Sequence, residues 1–143
     1  MNECEAQLVK EYPLEAYTIF KNSKTANNVT QLRFEGQGLD FHLDCADAFR
    51  HCYFNALNAQ DVGRNIALLF SNAHECGGTN NDAQMDYFNN NEGHRIGQAF
   101  PNSSPFVIAD RTCDRLKEGN LKVLEDDDDP DSALVSSFNC SCN

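Results

Sequence analysis

Tryptophan is absent from this 143-residue chain, methionine occurs twice and proline four times, and basic side chains are scarce. Eleven Lys and Arg stand against 22 Asp and Glu, a formal charge of −11. That shortage argues against nucleic acid or an anionic membrane surface as the main partner, because phosphate recognition needs clustered cations. Apolar runs are short, Ile66-Ala67-Leu68-Leu69-Phe70 being among the longest, and a bilayer needs about 20 such residues. There is no Cys-x-x-Cys pair, which excludes a zinc ribbon, and neither His-Glu-x-x-His nor Gly-x-Ser-x-Gly occurs. Met1-Asn2-Glu3-Cys4 has neither the basic start nor the apolar stretch of a signal peptide. The expectation is a mature secreted chain carrying a starting Met.

Cysteine is the residue present in excess. Cys4, Cys45, Cys52, Cys76, Cys113, Cys140 and Cys142 are too many for an ordinary cytosolic chain and read as up to three disulfides with one thiol over. Spacing leaves the pairing open, and a disulfide is the expectation for both Cys52 and Cys76. Three sequons, at Asn28, Asn102 and Asn139, agree with an extracellular setting as glycosylation sites. With 41% hydrophobic residues and this length, the chain suits one domain over residues 1–143, its core at 40–124.

Glu3 to about Phe20 has apolar residues at helical spacing, with Pro13 separating two short helices or opening the second. Lys21 to Gly38 is polar and reads as a loop with a short strand at Thr30 to Phe34. Helices are then expected over about Asp44–Ala59, Asp61–Cys76 (ended by Gly77-Gly78), Asp82–Phe100 (stopped by Pro101) and Ser104–Gly119, the last opening with Ser104-Pro105. Glu125 to Asp131 holds six carboxylates in seven residues, a solvated loop or, as the sharper alternative, a Ca²⁺ loop without EF-hand spacing. The class is therefore mainly α: a compact helical bundle with disulfides, an acidic C-terminal loop at 125–143 and a disulfide-pinned tail.

Positions three or four apart share a helix face. In the first central helix Ala46, Phe49, Tyr53, Ala56 and Leu57 form an apolar stripe, opposite Asp44, Asp47, His51, Asn55 and Asn58. The polar stripe is either the wet face or a site; Asp, His and Asn are poor helix formers, and solvent faces favour Lys, Glu, Arg and Gln. His74-Glu75 closes an otherwise apolar helix, where His74 either lines a cleft or interacts with the helix dipole. In the third, Asp82, Asp86, Asn89, Asn90, Gly93 and Gly97 share one face. Each glycine costs a helix about 1 kcal/mol relative to Ala, and in exchange lets another backbone approach. This face is either a site or a buried polar network that fixes packing.

Asp47-Ala48-Phe49-Arg50-His51-Cys52-Tyr53-Phe54-Asn55-Ala56-Leu57, Ala73-His74-Glu75 and Met85-Asp86 with Asn89-Asn90 and Gly93 resemble an uncharacterised family of small helical domains. Its members are mostly bacterial and often exported, and its pattern is D-A-F-R-H-x-x-W-N-A-L, A-H-E, M-D-x-x-N-N-x-x-G-R. The likeness covers about residues 44–97, with Phe54 in place of Trp and His94 in place of Arg. It implies a shared polar site of Arg50, His51, Asn55, His74, Glu75, Asp86 and Asn90, and names no reaction. Cys45, Arg50-His51 and Tyr53 are more loosely similar to secreted phospholipases A2, although Cys52 stands where that family has a calcium-binding Asp.

The functional expectation is a secreted small hydrolase. His51, His74, Glu75 and Asp86 are the catalytic candidates, and Arg50, Asn55, Asn90 and His94 the substrate-binding ones. Two chemistries suit this set: a divalent cation such as Ca²⁺ or Zn²⁺ on ligands drawn from Asp47, His51, His74 and Asp86, or a metal-free histidine base. A small-molecule, lipid or cell-wall substrate is compatible. The alternative is a secreted binding or structural module, or a toxin or effector, in which the same residues form a buried network.

Overall fold

The computed structural model describes residues 1–143 as six helices and one small hairpin: α1 (Glu3–Glu11), α2 (Pro13–Arg33), α3 (Cys45–Val62), α4 (Arg64–Glu75), α5 (Asn81–Ala99), α6 (Pro105–Lys117), β1 (Lys122–Leu124) and β2 (Leu134–Ser136). The class is mainly α, in one compact domain. No helix is long and apolar enough to cross a membrane.

α3 is the axis of the molecule. Asp44 caps it, its side chain accepting from the amides of Asp47 (3.0 Å) and Phe41 (3.0 Å). Its apolar stripe of Ala46, Phe49, Tyr53, Ala56 and Leu57 is buried, and so is the opposite stripe of Asp47, Asn55 and Asn58. The polar side is therefore interior, because α2, α4 and α5 cover it. Phe34 meets Phe49 edge-on with ring centroids 5.4 Å apart, and Phe49 stacks on Tyr53 at 5.6 Å, an arrangement aromatic rings favour.

α5 lies against α3 at glycines. A Cβ on Gly93 would overlap the Cys52 carbonyl oxygen, and one on Gly97 that of Ala56. The paired glycines are thus the reason Asp86, Asn89 and Asn90, on the same face, reach the centre of the protein, where all three are buried.

Most of the polar stretch expected as a loop with a strand at Thr30–Phe34 is instead the second half of α2, which Pro13 opens at its first turn and which ends at Arg33; the turn with Gly36 and Gly38 follows as expected. Its buried contacts are Ile19, Ala26 and Thr30, spaced by seven and four residues. Two of these are small, so no hydrophobic stripe announces them, and the Thr30 hydroxyl satisfies itself on the Ala26 carbonyl at 2.7 Å. The exposed acidic run Glu125–Asp131 is the connection of an antiparallel hairpin, with Lys122 opposite Ser136 and Leu124 opposite Leu134, strands too short to show a period in sequence.

Three disulfides staple this frame. Cys4–Cys76 joins α1 to the end of α4, Cys45–Cys140 joins the start of α3 to the tail, and Cys113–Cys142 joins α6 to the last residues. The expectation of a disulfide at Cys52 is corrected: Cys52 is the free thiol. It is wholly buried on the side of α3 beside Thr112 of α6. Asn28, Asn102 and Asn139 are exposed.

Candidate functional site

A cleft of about 370 Å³ opens between α2, α3 and α4. Ile19, Phe54 and Phe70 supply its apolar wall; Arg50, His51, Asn55, Asn58, His74 and Asn90 supply polar groups. Of the sequence candidates, Arg50, His51, Asn55, His74 and Asn90 line this one space, while Asp47, Glu75, Asp86 and His94 lie outside its lining.

His51 is the most elaborately held side chain. Its Nε2 lies 3.4 Å from Asp47 Oδ1, one turn back on α3, and 3.4 Å from Asp86 Oδ1 on α5. Its Nδ1 is 3.1 Å from Asn90 Oδ1. Orientation follows from one fixed point. The Asn55 amide nitrogen donates to the His51 carbonyl oxygen (2.9 Å), which only accepts, and also to Asn90 Oδ1 (2.9 Å). The Asn90 oxygen therefore faces His51, and Nδ1 must be the donor. Asn55 Oδ1 in turn accepts from Nε2–H of His94 at 3.0 Å. A continuous chain, His94 to Asn55 to Asn90 to His51, thus crosses between α5 and α3 three times, and it points the Nε2 edge of His51 at two carboxylates.

Asp47 is anchored on both oxygens: Oδ2 accepts the Leu43 amide (2.8 Å), and Oδ1 accepts the Arg50 guanidinium (2.7 Å). Arg50 also donates to the Phe41 carbonyl at 3.1 Å. Burial by itself opposes charge on Asp47, but His51, the Leu43 amide and Arg50 outweigh it and hold its pKa down at about 2. Burial likewise opposes charge on His51; its contact with Asp47 and the charges of Asp86 and Asp47 override that and lift it to about 9. Glu75 lies beside Asp86. Burial first, then the hydrogen bond and charge of Asp86, push Glu75 to about 8, and Asp86 itself is raised, mainly by burial. Like charges this close are unfavourable, so neither carboxyl ionises as readily as an ordinary one.

His74 is 61% exposed at the cleft's rim, and its Nδ1 donates to Glu5 Oε1 at 2.7 Å. Glu5 is the residue that sequence reading missed. It belongs to the N-terminal capping box of α1, its other oxygen accepting the Asn2 amide at 2.8 Å. The Asn2 side chain donates to the carbonyls of Ala73 and His74, both at 3.0 Å. With Cys4–Cys76 alongside, the start of α1 clamps the end of α4. The Asn-x-x-Glu cap is visible in sequence; its partner 69 residues away is not. His94, an expected substrate contact, is fully buried and faces Asn55, not the cleft.

The family described as a domain of unknown function (DUF6973) matches residues 6–120, from α1 through the end of α6. This chain belongs to that family. No curated protein and no solved structure matches it. The DUF6973 match takes in the Asp47–His51–Asp86 cluster, the asparagine chain and His74. Asn2, Cys4 and Glu5, which orient His74, lie just ahead of it, and the hairpin and disulfide-bonded tail follow it.

Proposed function

We propose that this DUF6973 chain is a small extracellular hydrolase acting in the 370 Å³ cleft. The observation that carries the reading is that two histidines, each oriented by a carboxylate, border one cavity. His74, with Nδ1–H committed to Glu5, keeps Nε2 free to take a proton from water. Water oxygen bonds to the carbonyl carbon or phosphorus of the substrate, the proton passes to His74 Nε2, and the departing oxygen or nitrogen takes it back as its bond breaks. His51, between Asp47 and Asp86, forms the polar centre of the other wall, with Arg50 beside it to meet developing negative charge. The volume suits a small ester, phosphoester or amide whose apolar part lies along Ile19, Phe54 and Phe70. Three disulfides and three exposed sequons support the extracellular setting.

Chromogenic carboxylic esters, phosphodiesters and a muramyl amide provide the test. One class is expected to be hydrolysed, with kcat lowered about 10²–10⁴-fold by His74→Ala and left unchanged by His42→Ala, on the exposed loop before α3. Because His74 is mostly exposed, His74→Ala retains the wild-type melting temperature within a few degrees. Absence of turnover on all three classes overturns the proposal. The His94–Asn55–Asn90–His51 chain supports a second reading, a non-enzymatic module; there His74→Ala changes nothing measurable and Asn90→Ala acts on stability alone.

A further inference from the structure

The point between His51 Nε2, Asp47 Oδ1 and Asp86 Oδ1 is electrostatically incomplete. The asparagine chain commits Nδ1 to donate to Asn90, so Nε2 is the ring atom that faces the two carboxylate oxygens, and the charge between them is met by a proton on Nε2 or, displacing it, by a metal ion. Both separations are 3.4 Å, longer than the ~2.7–2.9 Å of a well-formed charge-assisted hydrogen bond, so a proton on Nε2 satisfies neither carboxylate fully. These are instead the ligand–ligand spacings of a metal site: a tetrahedron with bonds of about 2.0–2.1 Å has edges of about 3.3–3.4 Å. All three ligand atoms lie within 4.8 Å of one another. Asp86 Oδ1 is buried with no hydrogen-bond partner and its residue is 8% exposed, so a deeply buried acceptor faces this point with the His51 ring 3.4 Å away.

We propose that Asp47, His51 and Asp86 form a binding site for a divalent first-row transition ion of the zinc type. An imidazole with two carboxylates, its nitrogen at tetrahedral spacing from each carboxylate oxygen, suits Zn²⁺ and its neighbours; Ca²⁺ prefers six to eight oxygens at longer distance. The surroundings have the form that metal sites use to orient their ligands. Asn90 holds the far nitrogen of His51, the Leu43 amide holds the second oxygen of Asp47, and Glu75 lies beside Asp86. Three protein ligands leave a fourth position for water. The site rests on the proposed cleft function only for its use; its existence rests on the geometry alone.

The full-length oxidised protein, stripped with a chelator and dialysed, is titrated with Zn²⁺ alone by calorimetry, and its Co²⁺ form is examined by visible absorption. One equivalent of Zn²⁺ is expected, together with the intense absorption of four-coordinate Co²⁺. Asp86→Asn and His51→Ala are expected to weaken the affinity by at least about tenfold, and Asn90→Ala by about tenfold to a hundredfold. His42→Ala leaves it unchanged. Asp86→Asn conserves volume, and circular dichroism verifies that it is folded; should it unfold, Asn90→Ala and the Co²⁺ spectrum decide. Absence of a one-to-one site, or equal affinity in Asp86→Asn and wild type, as binding by the exposed Asp126–Asp128 run would give, overturns the proposal. Hydrolysis without metal binding overturns this site and leaves the function standing. Metal binding without hydrolysis does the reverse.

Discussion

His94 shows how far a single side chain can depart from its sequence expectation. It is 0% exposed, gives Nε2–H to Asn55, and its Nδ1 has no partner. Burial, with the charge of Arg64 acting the same way, lowers its pKa from 6.5 to about 4. Between those values the unfolded chain binds a proton that the folded chain refuses, so stability falls as the pH drops through this window and is unaffected above it. The contribution reaches about 3 kcal/mol at pH 4, from 1.36 kcal/mol per pKa unit. His94→Gln preserves the donor and removes the titration. In guanidinium unfolding, wild type is expected to lose about 3 kcal/mol relative to His94→Gln between pH 7 and pH 4; parallel stability curves would show His94 protonating freely.

Between elements, the contact that decides the architecture is α5 on α3. Gly93 and Gly97 place backbone against backbone where a methyl group has no room. Alanine would raise the intrinsic helix propensity of α5 by about 1 kcal/mol, yet it must push the two helices apart. The steric term wins, because the obstructing atom is the Cys52 carbonyl oxygen and helix backbone cannot step aside as a flexible side chain can. Gly93→Ala is expected to lower stability by about 1–3 kcal/mol, read as a lower denaturant midpoint at unchanged slope. It also moves Asn90 and Asp86 away from His51. A raised midpoint would mean that α5 and α3 are not in contact at this position.

For the molecule as a whole, three cross-links close loops separated by 72, 95 and 29 residues in sequence. Each restrains the unfolded chain by about 3–5 kcal/mol in the loop-entropy account. The seventh cysteine is inaccessible: Cys52 has no exposure, and burial, reinforced by the charge of Glu92, pushes its thiol far above the usual range. Thiol titration of the oxidised protein is therefore expected to find no reactive group in the native state and one after denaturation, with seven after reduction. Two or more thiols in the unreduced, denatured protein would contradict the pairing. Reduction is expected to lower the melting temperature steeply. Losing Cys4–Cys76 in particular releases the clamp that keeps Glu5 on His74.

Much of this protein is written in local patterns. Asp44 and Ser104 cap α3 and α6 with their own side chains at the starts a linear reading gives, since such caps involve neighbours three residues away, while Asn80 caps α5 two residues ahead of the expected start at Asp82. The Asp86–Asn90–Gly93–Gly97 face was likewise visible, since a helical period is a property of spacing. α2 was not, because its contact residues are few and two are small, and the apolar signal that marks a helix arises from large side chains. The meeting of Asp47 and His51 with Asp86, the pairing of Glu5 with His74, the exclusion of His94 from the cleft and the choice of sulfur partners joined residues 29 to 95 positions apart. Periodicity and capping act within a few turns of one helix. Which faces end up opposite each other is set by the packing of helices onto α3, and that depends on the shape of every residue between them.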